Sequence, residues 1–594
     1  MKSRSENRLI NLIPLSFALG YIPLVVYIHE YDSGFEAFDW FPASEDGIMY
    51  DFFLYHKSVL IVLTAAVMLA LAGYDLIKKR ADIKTLFKNR VLYLPVFYLL
   101  FVVLSGILSP HPKEAFFGAP EIFEGVLVIG SYVVFLLYAA LYVRDQDALK
   151  TVLKWAFPGL LAELLTAFSQ IIKKDLLDTD LIKAVIIPSS LAELRESFII
   201  KFEQGLSYGT LYNTNYVPQY AGFAFFITLS AALCSNLKKS YRAAALLSAL
   251  LSFAMIIRAD SRSGMTGFLA GLALYILIAA VSFISGKTKD KRKTVIIFSL
   301  SFAGLFLGFL TLFALRGGLK GLSSGDGALK DRVIRDVRTE EEGVTMDVNG
   351  ALLTLSYEED GEDFYLDLKD SEGKEPGRVL TEDGGGFRLT DPLYAGMEIR
   401  AVILDDRLCM EVNVDGRELI FSDFGEGRGY LYYNNAGKFS SFRKYERNTF
   451  FPDSLFTDRG LIWNHCMKLL PKTLFKGVGA NAFVYAYPND DDYFRLYDDN
   501  ELDFYDVKAH SLYFQQVIEN GLPAFVCFLL FCVLFFFRGL KGCLFDSPDR
   551  KDLGSLIRPA ILAGFLCYMI CGIANDSNVN TAPVFWILAG SAFI

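Results

Sequence analysis

One stretch of this chain combines a possible proton acceptor with a membrane span. It is AHSLYFQQVIENGLPAFVCFLLFCVLFFF, residues 509 to 537. Its second half is apolar throughout; its first half carries His510, Gln516 and Glu519. A histidine where water meets membrane can take a proton near neutral pH. A carboxylate in hydrocarbon costs a few kcal/mol, so Glu519 is expected to face protein or a wet cavity. Nine helical residues span about 13 Å, and His510 and Glu519 fall on opposite sides of such a helix. They are therefore no simple dyad, whereas Gln516 and Glu519 share a face. A second reading stays open, in which His510 caps a helix or anchors at headgroups and Glu519 pairs with a basic residue.

Three further groups of residues could do chemistry. In RADSRSG, Arg258 and Arg262 flank a short turn between two apolar runs. Guanidinium groups suit bidentate contact with phosphate oxygens, although Asp260 could simply pair with them. Ser261 or Ser263 is placed to cap the following helix. In GTLYNTNYVPQYAGF, Asn213, Asn215 and Gln219 open a helix, and amides serve equally as sugar ligands or as caps. In TDRGLIWNHCMKLLP, Arg459 and His465 lie on an amphipathic helix, where His465 reads first as a packed histidine. The glycine turn in KGVGANAFVYAYP is too short for a nucleotide-binding loop and reads as a tight turn.

The elements that must position these residues follow from composition. Of 594 residues, 53% are hydrophobic and 15% aromatic, too apolar for a soluble protein of this length. About twelve runs are long enough to cross a bilayer: roughly 9–29, 52–77, 91–109, 122–143, 151–172, 216–235, 241–258, 262–285, 293–316, 510–538, 554–573 and 579–594. The fifth is interrupted by Pro158, Glu163 and Gln170. No cleavable signal is expected at the start, because no small-residue cleavage site follows the first run. Six basic loops alternate with loops poor in Lys and Arg, which places both ends and all six basic loops in the cytoplasm. The formal charge of -9 hides this segregation. The eight cysteines form no metal or redox pattern, and Cys409 and Cys466 are not expected to bond to one another.

The long region from about 317 to 509 then lies outside. A structureless loop of that length is improbable. From about 343 to 446 it alternates polar and apolar residues, with turn pairs such as DDR and VDGR between the runs, so a β-sandwich is expected. The chain divides into a membrane domain at 1–320, a β-rich insert at 321–450, a helical and aromatic segment at 451–509, and a closing membrane domain at 510–594.

The order of these motifs resembles the O-antigen ligase family, within the ligase and polymerase superfamily of bacterial envelope glycans. The resemblance rests on the asparagines before a mid-chain span, SRSG opening a later span, DRGLIW and GVGANAF in the long outer loop, HSLYFQQVIENG, and NDSNVNTAPVFWILAG at the end. It covers roughly 90–320 and 450–594, and the β-rich insert departs from it. It implies an α-helical polytopic membrane glycosyltransferase of the lipid-donor type. Such an enzyme moves a glycan from an undecaprenyl diphosphate carrier to an acceptor hydroxyl, with no metal or other cofactor and no nucleic acid. The acceptor would be glycan, lipid or wall material. His510 matches the family's catalytic histidine. Arg258, Arg262 and Arg459 would hold the donor diphosphate, and Glu519, Gln516, Asn213 and Asn215 would support. The implied place is the bacterial cytoplasmic membrane, with the site facing outward. A polymerase of the same superfamily is the nearest alternative. A flippase of lipid-linked glycans and a non-catalytic sensor with a sugar-binding β domain are the alternatives of other classes.

Overall fold

The computed structural model describes residues 9–43, 46–197, 202–285, 333–360, 363–382, 384–425, 427–446, 450–453, 455–456, 459–497, 505–545 and 553–592. Helices fill both ends of the chain and β-sheets fill its middle. Among the described residues, the helices of eight or more residues are α1 (Ile13–Gly20), α2 (Tyr55–Ile77), α3 (Tyr93–Ile107), α4 (Val126–Tyr142), α5 (Gln146–Ile171), α6 (Val217–Leu233), α7 (Lys239–Arg258), α8 (Arg262–Ser285), α9 (Arg459–Thr473), α10 (Leu512–Phe545), α11 (Leu553–Cys571) and α12 (Ala582–Ser591). Among the described residues, eight helices are long and apolar enough to cross a membrane. The expected span at 293–316 lies outside the described residues. The runs at 9–29, 122–143 and 579–594 form shorter apolar helices than expected. Exposed Leu, Val, Ile and Phe side chains cover the outward faces of α2, α3, α7 and α10, as lipid contact requires.

The run broken by Pro158, Glu163 and Gln170 is one continuous helix, α5. Its polar residues are buried against a chain segment rather than lipid. Gln170 accepts from the backbone N–H of Tyr208 and Gly209 at 3.0 and 2.7 Å. Glu163 accepts from the Thr210 N–H at 3.0 Å. Lys57 on α2 donates to the Thr210 carbonyl at 2.5 Å and to Asn580 at 2.6 Å. Buried polar groups in a membrane protein pair with one another or with irregular backbone, and segment 207–211 supplies that backbone here.

A short antiparallel hairpin, β1 (His29–Asp32) and β2 (Ile48–Asp51), precedes α2. In the middle region, β3 (Ile334–Thr339), β4 (Val344–Val348), β5 (Ala351–Asp360) and β6 (Asp363–Asp370) pair antiparallel in chain order. A second antiparallel sheet runs through β7 (Arg378–Leu380), β8 (Gly386–Leu389), β9 (Met397–Leu404), β10 (Arg407–Val414), β11 (Arg417–Asp423), β12 (Tyr430–Tyr433) and β13 (Phe439–Ser440). Both sheets bury side chains in one core, including Met346, Leu355, Ile399 and Phe421. Three hairpins turn on two residues with positive φ: Asn349–Gly350, Asp405–Asp406 and Asp415–Gly416. Such paired left-handed residues match the strand twist and explain why Asn, Asp and Gly stand there. The β unit is tied to loops of the helical part. Lys438 donates to the carbonyls of Glu36 and Phe38, each at 2.8 Å. Tyr493 and Tyr497 donate to the Ile334 carbonyl at 3.1 and 2.7 Å.

Candidate functional site

The stretch from Ala509 is not one helix. At Gly521 the backbone turns to φ 78° and ψ 163°, and Pro523 follows. A polar half of nine residues, 512–520, therefore precedes the apolar rod. The break frees carbonyls at the end of the polar half, and buried carbonyls need partners. The glycine turn at 477–479 provides them: Val478 and Gly479 donate to Ile518 and Glu519 carbonyls, each at 2.9 Å. Ser105 on α3 adds a bond to the Glu519 carbonyl at 2.6 Å. The approach requires glycine. A Cβ at Gly477 would lie 2.1 Å from the Glu519 carbonyl oxygen, and one at Gly521 would lie 2.7 Å from that of Phe475. The turn read from sequence as merely tight is the socket for the polar half-helix. Asn481, just beyond it, accepts from the N–H groups of Ala119 and Glu124 at 2.8 and 3.1 Å.

His510 stands just before this half-helix in a left-handed conformation, φ 49°. Four hydrogen bonds hold it. The Trp463 indole of α9 donates to the Ala509 carbonyl at 3.0 Å. The Ala509 N–H donates to Gln515 Oε1 at 2.7 Å. The Leu512 N–H donates to the Gly572 and Asn575 carbonyls at 2.9 and 2.8 Å. Glu519 reaches this turn through Gln515, whose amide donates to the Glu519 carboxyl. Glu519 thus orients the histidine turn at second hand. Gln516 accepts from Tyr98 at 3.0 Å and Asn520 at 3.2 Å.

The His510 Nδ1 lies 3.2 Å from Asp576 Oδ2, with side chains 39% and 1% exposed. A histidine that gives Nδ1–H to a buried carboxylate leaves Nε2 to accept a proton. Burial pushes the Asp576 carboxyl up. The hydrogen bond and charge of His510, then Lys508 and Arg459, outweigh burial and hold it below the ordinary carboxylate value. Lys508 is buried and donates to the Ser577 carbonyl at 3.2 Å and to Tyr216 at 3.5 Å. Burial pushes its ammonium down, but Tyr216, Asp576 and Glu124 raise it well above the ordinary lysine value.

Loop 575–581, between α11 and α12, gathers the other motifs. Asn575 donates to Ser263 Oγ at 3.0 Å and to the Asn215 carbonyl at 3.4 Å. Gln219 accepts from Asn578 and Thr581 at 3.3 and 3.1 Å. Asn213 spends its side chain capping the N–H of Asn215 at 2.8 Å, so the capping reading describes it. Ser261 caps the Gly264 N–H at 3.2 Å.

The three arginines separate. Arg459 opens α9 and interacts electrostatically with Asp576. Arg262 is exposed at the start of α8, beside the Ser263 that touches Asn575. Arg258 is exposed and props a different segment. Its Nε donates to the Gly205 carbonyl at 2.7 Å, and its own carbonyl accepts from Ser207 at 2.9 Å. No hydrogen bond among the described residues joins it to His510 or Asp576.

Sequence reasoning missed Asp576, Lys508 and Glu124. The signal for Asp576 was a single acid in the asparagine-rich loop NDSNVNT. His465 is a packed histidine, as its residue pattern suggested. It is buried, with Nδ1 3.1 Å from Tyr487 and Nε2 3.2 Å from Asp491. All eight cysteines are free thiols, and no group suited to a metal ion is found among the described residues. Compared with known proteins, the chain matches no family model and no curated protein.

Proposed function

We propose that this protein is a membrane glycosyltransferase of the O-antigen ligase type, acting on a glycan carried by undecaprenyl diphosphate. The observation that carries the reading is the His510–Asp576 pair, half-open and set beside Arg459 and Lys508. His510 Nε2 takes the proton of the acceptor hydroxyl as that oxygen attacks the first sugar of the donor. Asp576 keeps the ring in the right tautomer and stabilises the imidazolium that forms. The bond to the carrier diphosphate breaks, and positive charge beside the developing diphosphate lowers the barrier. Arg459 supplies it near the pair and Arg262 from the start of α8; Arg258 steadies segment 205–207. Glu519, Gln516, Asn213 and Asn215 position backbone and neighbours and do not touch the reacting atoms. In this reading both chain ends lie in the bacterial cytoplasm and the β unit lies outside.

Polymerisation of the same lipid-linked glycan is the second reading, since it differs only in acceptor. A flippase would need no base; purified protein in detergent that joins glycan without compartments excludes it. The direct test is His510→Ala in cells, with membrane insertion confirmed. The expected result is loss of finished glycoconjugate and accumulation of carrier-linked glycan outside the cytoplasmic membrane. Normal product with this variant removes His510 from the chemistry and favours transport.

A further inference from the structure

The turn just before α6, residues 210–216, is held more firmly than a connecting loop needs. Lys57 and Glu163 bind the Thr210 backbone, and Thr210 Oγ1 donates to the Pro23 carbonyl at 2.7 Å. The Leu211 carbonyl accepts from Asn580 Nδ2 at 3.1 Å and from the Asn213 N–H at 2.9 Å. Further along, Asn575 holds the Asn215 carbonyl. Asn575 and Asn580 belong to the loop that carries Asp576, so one loop fixes both the partner of His510 and this turn. A buried lysine and glutamate are costly in a membrane protein, and here both are engaged by the backbone at 210.

Between these anchors Tyr212 takes a left-handed backbone, φ 72°, with 37% of its surface exposed. A bulky residue seldom adopts that conformation, and such strain persists where the surroundings over-determine it, often at ligand sites. The Tyr212 ring has aromatic neighbours. Phe53, just before α2, lies 6.2 Å from it, and Tyr216 stacks at 6.4 Å and 27°. The Lys508 ammonium stands 5.6 Å from the centre of the Tyr216 ring, and Arg459 interacts electrostatically with Tyr216 as well as with Asp576. An aromatic strip therefore runs from the exposed ring to the cations beside His510.

Two amides stand on the same turn. The Asn215 side chain and the Nδ2 of Asn213, both on half-buried residues, make no hydrogen bond among the described residues. An amide both donates and accepts, as a sugar hydroxyl does. An aromatic face packs on the C–H face of a pyranose as it does on other apolar surface.

We propose that Tyr212, Asn213 and Asn215 form a sugar subsite that binds the donor glycan at the sugars nearest its diphosphate. The cations fix the place. Tyr216 stands between the Tyr212 ring and the pair Lys508 and Arg459, so a diphosphate held at Arg459 leaves its attached sugars against Tyr212 and the two amides. The subsite selects which glycan is transferred and takes no part in proton transfer.

The proposal rests on the glycosyltransferase reading, and its test separates the two. The probes are undecaprenyl diphosphate without sugar and the carrier-linked glycan extracted from the cells that make the protein. Binding of each to the purified full-length protein in detergent is measured in the His510→Ala background. Glycine adopts a left-handed turn freely, so Tyr212→Gly removes the ring and keeps the backbone. The expected result is about tenfold weaker binding of the carrier-linked glycan, with the bare carrier bound as before. Asn215→Ala should weaken the same ligand to a smaller extent. Tyr212→Phe, which keeps the ring, should bind both ligands as the unsubstituted residue does. Equal losses for the two ligands, or no loss for either, overturn the subsite. A Tyr212→Phe loss as deep as that of Tyr212→Gly overturns it too. Should Tyr212→Gly not fold, Asn215→Ala decides by the same comparison of ligands. Normal glycan product with His510→Ala would instead sink the glycosyltransferase reading while leaving the difference between the two ligands in place.

Discussion

Among the described residues, two histidine–aspartate pairs have the same contact length, and they do opposite things. His465 and Asp491 are 2% and 4% exposed, and both ring nitrogens of His465 are engaged. His510 and Asp576 also meet at 3.2 Å, but His510 is 39% exposed and engaged through Nδ1. The first pair fastens α9 to segment 487–492. The second presents a nitrogen to whatever enters. A pair alone is therefore no sign of catalysis; the open nitrogen and the neighbouring cations are what separate the two.

That contrast can be broken at its strongest point first. Asp576→Asn should leave the fold intact and lower glycan transfer by about 10²-fold or more, because the amide no longer fixes the imidazole tautomer. Transfer within a few-fold of normal would erase the difference between the pairs. Next in size is Gln515→Leu, which uncouples Glu519 from the Ala509 turn. A misplaced base costs between about tenfold and 10²-fold in rate; the stranded Glu519 carboxyl and Ala509 N–H also lower stability by roughly 2 kcal/mol, so the rate is read per folded molecule. An unaffected rate would mean that His510 is held well enough by Trp463 and loop 575–581 alone.

His465→Ala should behave the other way round. It strands the Asp491 carboxylate and the Tyr487 hydroxyl, at a cost of roughly 2 kcal/mol in stability. The rate per folded molecule should stay within about twofold. A rate loss as deep as that of Asp576→Asn would make the sealed pair part of the chemistry.

The smallest effect lies next to the sealed pair. Burial pushes Asp492 up to about 7, with Asp490 and Asp491 adding to the rise against the Arg443 N–H. A carboxyl raised in the folded state contributes stability that is fully present below its unfolded value and is lost as pH rises through the folded value. The loss here falls between 3.8 and about 7. Asp492→Asn should therefore raise the melting temperature near pH 8 and have little effect near pH 4. Equal effects at both values would show that this carboxyl does not titrate with folding. The Asp576 linkage runs in the opposite sense: its depressed value favours the folded state above the ordinary carboxylate range, and this help fades in acid.

How much of this could be read from sequence depends on the range of the interactions. Most strands of the β unit were legible because alternation and two-residue turns are local, as at Asp405–Asp406. Strand β3 was missed because IRDVRT is mostly polar and pairs at the edge of its sheet. His510 stood out by its position in a polar run before a span. Asp576 did not, because the contact crosses 66 residues and depends on how α10 and α11 fold back. The arginines illustrate the same limit. Composition singled out Arg258, Arg262 and Arg459 alike, and only tertiary structure divides the one beside Asp576 from the one holding Gly205.

The break at Gly521 has a consequence for how the protein is made. The insertion machinery reads hydrophobicity as the chain emerges, and what it meets as a span is the apolar rod after the break. The nine residues before it carry Gln515, Gln516, Glu519 and Asn520 and cannot enter lipid by themselves. Their partners at Val478, Gly479 and Ser105 come from earlier chain. The histidine turn is thus assembled late, once the glycine turn at 477–479 has folded and offers its socket to the polar half-helix.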